Sequence, residues 1–353
     1  MKSQACIQQN VSLQPYNTLA LPAIARYYTT VVSLDDIQKA LAYSQKKQLP
    51  FYVLGGGSNT VFAGDYYGVI IHIAMRGINK VSEDATSVTL QVAAGENWDT
   101  FLQYCLANHY YGLENLAIIP GTVGAAPIQN IGAYGLEVAQ CIDSVEAWDT
   151  ETQQLQVLSN DQCQFAYRDS MFKRQQGRYI VIAVNFRLAK QFTANLSYRA
   201  LRESLQDQPV SASRLREAVI ALRTSRLPAI EIWPNVGSFF KNPVISAEQF
   251  NQLQKQYPAM PNFHQQDSIK IPAAWLIEQC GWKGKRLGTV AMYEKHALVL
   301  VNLGHATFVD VKRLTERIIE DVKNTFSIHL EPEPLFLSSM DNASQQNTPA
   351  ECL

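Results

Sequence analysis

Apolar residues recur along this chain with two periods, and the change from one to the other marks its elements. Behind Ser33, whose hydroxyl suits a first helical turn, Leu34, Ile37, Ala40 and Leu41 repeat at helical spacing. Short apolar or alternating runs then predict strands at 51–54, 68–73, 87–95, 144–150 and 179–188, with one helix among them at 98–108. Beyond about residue 195 the helical period returns. Leu215, Ala218, Val219 and Leu222 share one face of a helix that Pro228 closes, and Val311, Leu314, Ile318 and Val322 form the inward stripe of a longer one. Between them lie a helix at 270–281 and strands at 287–292 and 296–302. The run HLEPEPLFL at 329–337 reads as a last short strand, with Glu331 and Glu333 on one face and Leu330 on the other. Strand runs mixed with helices predict an α+β protein.

Composition narrows this picture. A chain of 353 residues is too long for one typical core and predicts two or three domains. With 47% hydrophobic and 17% charged residues it can bury those cores. A formal net charge of -1 gives no general attraction to nucleic acid or anionic membrane, so a phosphate-bearing ligand must be held by local groups. No apolar run approaches the roughly 18 residues of a membrane span, which predicts a cytoplasmic protein. The six cysteines form no C-x-x-C pair; reduced thiols and no metal site are expected, and Cys352 is misplaced for prenylation. The polar segment 339–353 is expected to be disordered.

The candidate chemistry sits in loops. PGTVGAAPIQNIGAYG at 120–135 has too many glycines and prolines for a helix or strand. It reads as backbone shaped around a ligand, since successive main-chain N–H groups suit phosphate; a long surface turn is the other reading. GGGSN at 55–59 follows a strand and is a second phosphate cradle or a plain turn. Thr60 stands where a dinucleotide fingerprint needs glycine, and no P-loop occurs. Arg168, beside Asp169, is either a surface ion pair or a bidentate carboxylate ligand. GSFFKNP at 237–243 mixes turn formers, rings and polar groups, yet Ser238 lacks the G-x-S-x-G context of a nucleophile.

Taken together, GGGSN at 55–59, PGTVGAAPIQNIGAYGLE at 120–137, YRDSMFK at 167–173, GSFFKNP at 237–243 and LEPE at 330–333 resemble, in order and spacing, the UDP-N-acetylenolpyruvoylglucosamine reductase family, the MurB flavoenzymes of bacterial peptidoglycan synthesis. The resemblance spans residues 17–337. It implies an FAD-binding fold of the vanillyl-alcohol-oxidase (PCMH) type in two subdomains, 1–74 completed by a strand at 328–338, and 75–210. An α+β substrate-binding domain at 211–327 would follow.

The same resemblance implies residue roles. FAD would be cradled by Gly55, Gly56, Gly57, Ser58 and Asn59 and by Pro120, Gly121, Thr122, Gly124 and Ala125, with Gln129, Asn130, Gly132, Ala133 and Tyr134 along the flavin. NADPH would load the flavin before UDP-N-acetylglucosamine enolpyruvate takes its place. Tyr134, Tyr198, Arg226, Lys241, Asn242 and His296 would bind that substrate, Tyr198 on a lid over the diphosphate. Hydride would reach C3 from flavin N5, Arg168 and Glu333 would hold the carboxylate into which charge spreads, and Ser238 would protonate C2, helped by Lys241 or a relay water. Arg226 stands where the family usually has lysine, His296 where it has glutamine or histidine, and Pro334 and Leu335 where valine and a basic residue are commoner. A monomer in the bacterial cytoplasm is expected. Two other classes share these loops: an FAD oxidase of an alcohol or sugar, and a flavin or nucleotide-sugar binder that has lost catalysis.

Overall fold

A computed structural model describes residues 6–206, 209–265 and 268–338; the segment 339–353, with Cys352, lies outside the described residues. By packing, the chain divides into two units, one of residues up to 11, 25–57 and 67–223, the other of 12–24, 58–66 and 224 onward. Residues 335–337, expected to complete the first flavin-binding subdomain, pair in parallel with Thr60–Phe62, and both segments belong to the second unit.

The first unit is built on two sheets. One runs in the order Gln8–Ser12, Ile24–Val31, Tyr66–Ile73, Phe51–Leu54. The other is antiparallel, in the order Gln154–Ser159, Ile142–Asp149, Tyr179–Ala189, Ser87–Ala93, Ile78–Glu83. Alternation along Ser87–Ala93 works as read: Val88, Leu90 and Val92 are fully buried and their neighbours are not. The helix Trp98–Ala107 packs its Trp98 and Phe101 rings on Phe186 of the central strand, centroids 6.1 and 4.9 Å away. Ser33 caps Leu34–Lys47 by accepting from the Asp36 N–H. The edge strand Ile78–Glu83 escaped the sequence reading because five of its six residues are exposed and carry no hydrophobic period.

The second unit holds an antiparallel sheet in the order Asn235–Ser238, His296–Asn302, Val290–Tyr293, Arg286–Leu287, and a smaller one of Val244–Ser246, Ser268–Lys270 and Phe263–Gln265. The helix Phe308–Phe326 buries Val311, Leu314, Ile318 and Val322 completely, the stripe its period predicts. Thr307 and Asp310 close a reciprocal capping box at its start. One expectation needs correction. The last strand is only Leu335–Leu337; before it a single bridge joins Phe240 to Pro332. Pro332 and Pro334 have no N–H to donate, so a ladder cannot form until Leu335, whose N–H reaches the Asn59 carbonyl at 2.9 Å. Among the described residues no helix is long and apolar enough to cross a membrane.

Leu314→Ala is expected to lower unfolding stability by about 2–5 kcal/mol, as removal of a fully buried side chain does. Arg317→Ala, on the exposed face of the same helix, should cost less than about 1 kcal/mol. Urea midpoints of the two variants check the assignment of faces.

Candidate active site

In the first unit the two glycine loops meet. A Cβ on Gly56 would lie 2.9 Å from the Gly121 Cα, and one on Gly55 2.7 Å from the Thr122 hydroxyl. The loop after 120 is stitched to residues 94–98: the Trp98 N–H donates to the Gly121 carbonyl, Val123 to Glu96 and Gly124 to Ala94. A Cβ at Gly124 would overlap Ala94, at 2.4 Å from its Cβ. Among the described residues the N–H groups of Gly56, Gly57 and Gly121 donate to no protein acceptor. Unspent main-chain donors on abutting glycine loops fit the pyrophosphate of FAD, whose two charges the chain's overall balance does nothing to offset.

At the far end of the loop Arg168 takes a left-handed backbone, φ 54°, and its Nη2 donates to the Gly132 carbonyl at 2.8 Å. The Lys173 ammonium holds the Arg168 carbonyl at 2.9 Å. Asp169, with which one of the two readings paired Arg168, bonds Arg174. Arg168 is thereby brought to the start of the 132–134 segment. Tyr134 and Tyr198 also come together, rings edge to face at 5.1 Å. Tyr198 caps a short helix, Arg199–Ser204, and the Ser197 that precedes it sits where a Cβ on Gly135 would be, 2.0 Å from its hydroxyl. Asn130 is buried; it donates to Glu137 and to the Ala166 carbonyl and accepts from the Ala139 N–H, tying the glycine loop to the loop of Arg168.

In the second unit Ser238 ends the strand Asn235–Ser238, and the backbone joins it to Glu333, whose N–H donates to the carbonyl of Phe239 at 2.9 Å. Lys241, expected to assist Ser238, is ion-paired with Glu331 at 2.9 Å. Asn242 gives its Oδ1 to the Ala273 N–H, 2.9 Å, at the start of Ala273–Gln279, which leaves its Nδ2 donors for a ligand. Arg226 and His296, both expected at the substrate, are electrostatic neighbours. Burial, with the Arg226 and Lys283 charges, holds the His296 pKa below its usual value. Its Nδ1 accepts from the Leu298 N–H at 3.3 Å, so the neutral ring presents Nε2–H as a donor.

Sequence reasoning passed over Arg223. Its Nε is buried with no hydrogen-bond partner among the described residues, and burial lowers its pKa while the nearby Tyr134 opposes the shift. A buried Nε–H without a partner close to Tyr134 suits an anion or a carbonyl of a bound ligand. The signal was available: Arg223 follows Leu215 and Val219 at helical spacing, so it continues their buried stripe.

A family model described as the C-terminal domain of UDP-N-acetylenolpyruvoylglucosamine reductase matches residues 228–337, and one described as an FAD binding domain matches 25–157. The UDP-N-acetylenolpyruvoylglucosamine reductase of Dechloromonas aromatica is 47% identical over 336 residues, covering 93% of this chain and 98% of the relative. That of Pseudomonas putida is 40% identical over 331 residues, with the same coverage. Among solved structures, UDP-N-acetylenolpyruvylglucosamine reductase (MurB) from Thermus caldophilus matches with a TM-score of 0.69 at 23% identity, over 95% of this chain and 100% of that one. A solvent-stable cholesterol oxidase matches at 0.52 and 10% identity, over 93% of this chain and 87% of that one. Both structures speak to the fold alone.

Gly56→Ala is expected to push the two loops apart and weaken FAD retention by at least about tenfold, a cost of roughly 1.4 kcal/mol. Flavin absorbance after desalting measures it, with far-UV dichroism unchanged. For His296 the sign follows from a lowered folded pKa: below the usual 6.5 the unfolded chain binds more protons than the folded one, so stability falls as pH falls. His296→Gln should flatten that decline in urea midpoints taken between about pH 7.5 and 5.5.

Proposed function

The chain belongs to the UDP-N-acetylenolpyruvoylglucosamine reductase family, and on that premise we propose that Arg168, Ser238 and Glu333 carry the chemistry of an FAD-dependent reduction in peptidoglycan precursor synthesis. FAD, held by the glycine loops at 55–59 and 120–125, would supply the hydride for C3 of the enolpyruvyl double bond, with NADPH as its reductant. Arg168 binds the substrate carboxylate, its guanidinium already oriented by the Gly132 carbonyl. Glu333 polarises the same group. Charge that develops at C2 spreads into the carboxylate, and the Ser238 hydroxyl gives C2 its proton, so the carbon–carbon double bond ends with one hydride and one proton added. Lys241, held by Glu331 at 2.9 Å, or a relay water assists Ser238. Arg226, Asn242 and the neutral His296 take the nucleotide end, Arg226 offering a planar fork where the family usually has a point charge.

The observation that supports this reading best is the backbone bond that sets Glu333 beside the residue after Ser238. The reading also assumes a monomer in the cytoplasm; sedimentation at micromolar concentration tests the former. The decisive experiment follows the two half-reactions separately. Ser238→Ala should let NADPH reduce the flavin at the wild-type rate and slow its reoxidation by the enolpyruvate about 10²–10⁴-fold. Unchanged reoxidation would sink the role given to Ser238, and rapid turnover with oxygen in place of the enolpyruvate would favour an oxidase.

A further inference from the structure

We propose that Asn235 is a positioning residue for Ser238: its buried carboxamide clamps an extra residue in the strand and so decides which way the serine hydroxyl faces. The proposal rests on reading Ser238 as the proton donor. In a regular strand residues three apart face opposite sides. Here Val236 and Phe239 are three apart, yet both are buried in one core cluster. The register explains it. Asn235 pairs with Val301 and Ser238 with Val299, three steps on this strand against two on its neighbour. One residue is inserted, and Gly237 accommodates it with φ 72°.

Without the insertion Ser238 would stand opposite Leu298, which lies in the same core cluster as Val236 and Phe239, and its hydroxyl would meet an apolar wall. With it, Ser238 faces the side of Val299 and Val301, the small cluster against which Leu227, the residue after Arg226, also packs. The donor and Leu227, which follows the last residue of the helix Ala212–Arg226, therefore lie on one face of the sheet only because the bulge exists.

Asn235 holds the bulge at both ends. Its Oδ1 accepts from the Gly237 N–H at 2.9 Å, while its Nδ2 donates to the Trp233 carbonyl at 2.8 Å and to the Pro228 carbonyl at 3.4 Å. Only 4% of the residue is exposed, so water cannot replace these bonds. An amide is needed because one side chain must accept and donate at once. Aspartate keeps the shape and the bond from Gly237 but loses the two donations.

The test uses the full, FAD-loaded chain with Asn235→Ala, Asn235→Asp and Gly237→Ala. Expected are flavin reduction by NADPH within about twofold of wild type, enolpyruvate affinity within about threefold by flavin spectral change, and reoxidation slowed at least about tenfold. The deuterium solvent isotope effect on reoxidation should rise, as proton donation becomes limiting, and Asn235→Asp should fall between wild type and Asn235→Ala. Equal losses in both half-reactions, or wild-type reoxidation in Asn235→Asp and Gly237→Ala, would overturn the clamp. If Ser238→Ala reoxidises normally the premise fails with it; if Ser238→Ala is slow and the Asn235 variants are not, the clamp alone fails.

Discussion

Two stretches of backbone meet at Gly56 and Gly121 with less space between them than a methyl group needs. The flavin-binding character of the first unit depends on that approach. Loops in such contact do not pair like strands, so the N–H groups of Gly56, Gly57 and Gly121 stay undonated among the described residues and suit a dianion in a chain with a formal charge of only -1. The same constraint recurs along the loop: Gly124 is pressed against Ala94, and Gly135 against Ser197. A loop packed this closely has little freedom to drift, and that lets its far end serve as a fixed reference for Arg168.

Asparagines do for the loops what ladders do for the sheets. Asn115 joins the Tyr134 and Asn195 carbonyls, Asn130 joins the glycine loop to the loop of Arg168, Asn235 closes the bulge before Ser238, and Asn302 ties the Leu19 carbonyl to the Gly304 and Ala306 N–H groups. All four are buried. Irregular backbone leaves donors and acceptors without a regular partner, and a buried one costs about 1–3 kcal/mol. A carboxamide is a short neutral side chain that offers two donors and a separate acceptor at once. These residues therefore fix the course of the irregular segments they join.

Where burial alone decides structure, the reading from residues succeeded. The stripe of Phe308–Phe326 and the alternation of Ser87–Ala93 are periodic because one face must leave water, and that requirement is written locally. Where pairing or a partner decides, it did not. Ile78–Glu83 is a strand only because Ser87–Ala93 offers it a ladder, and the run at 329–337 is shortened by prolines whose effect depends on which neighbour they face. At the site, Arg168 and the glycine loops were legible as candidates, whereas the ion pair of Lys241 with the distant Glu331 was not. The bonds by which Asn130 clasps two loops were not legible, because their partners lie on segments that only folding brings together.

By itself, then, the chain's order of residues determined the inventory: glycines where side chains must be absent, an amphipathic period for each long helix, and a set of polar residues distinctive enough to identify the family. Tertiary structure decided direction. Whether Ser238 faces the core or the Arg226 side depends on one inserted residue and on an amide that reaches three backbone groups, among them the Pro228 carbonyl seven residues back. A side chain's identity is local, but its orientation is the joint result of register, burial and the partners that remain unsatisfied, and those exist only once distant segments have met.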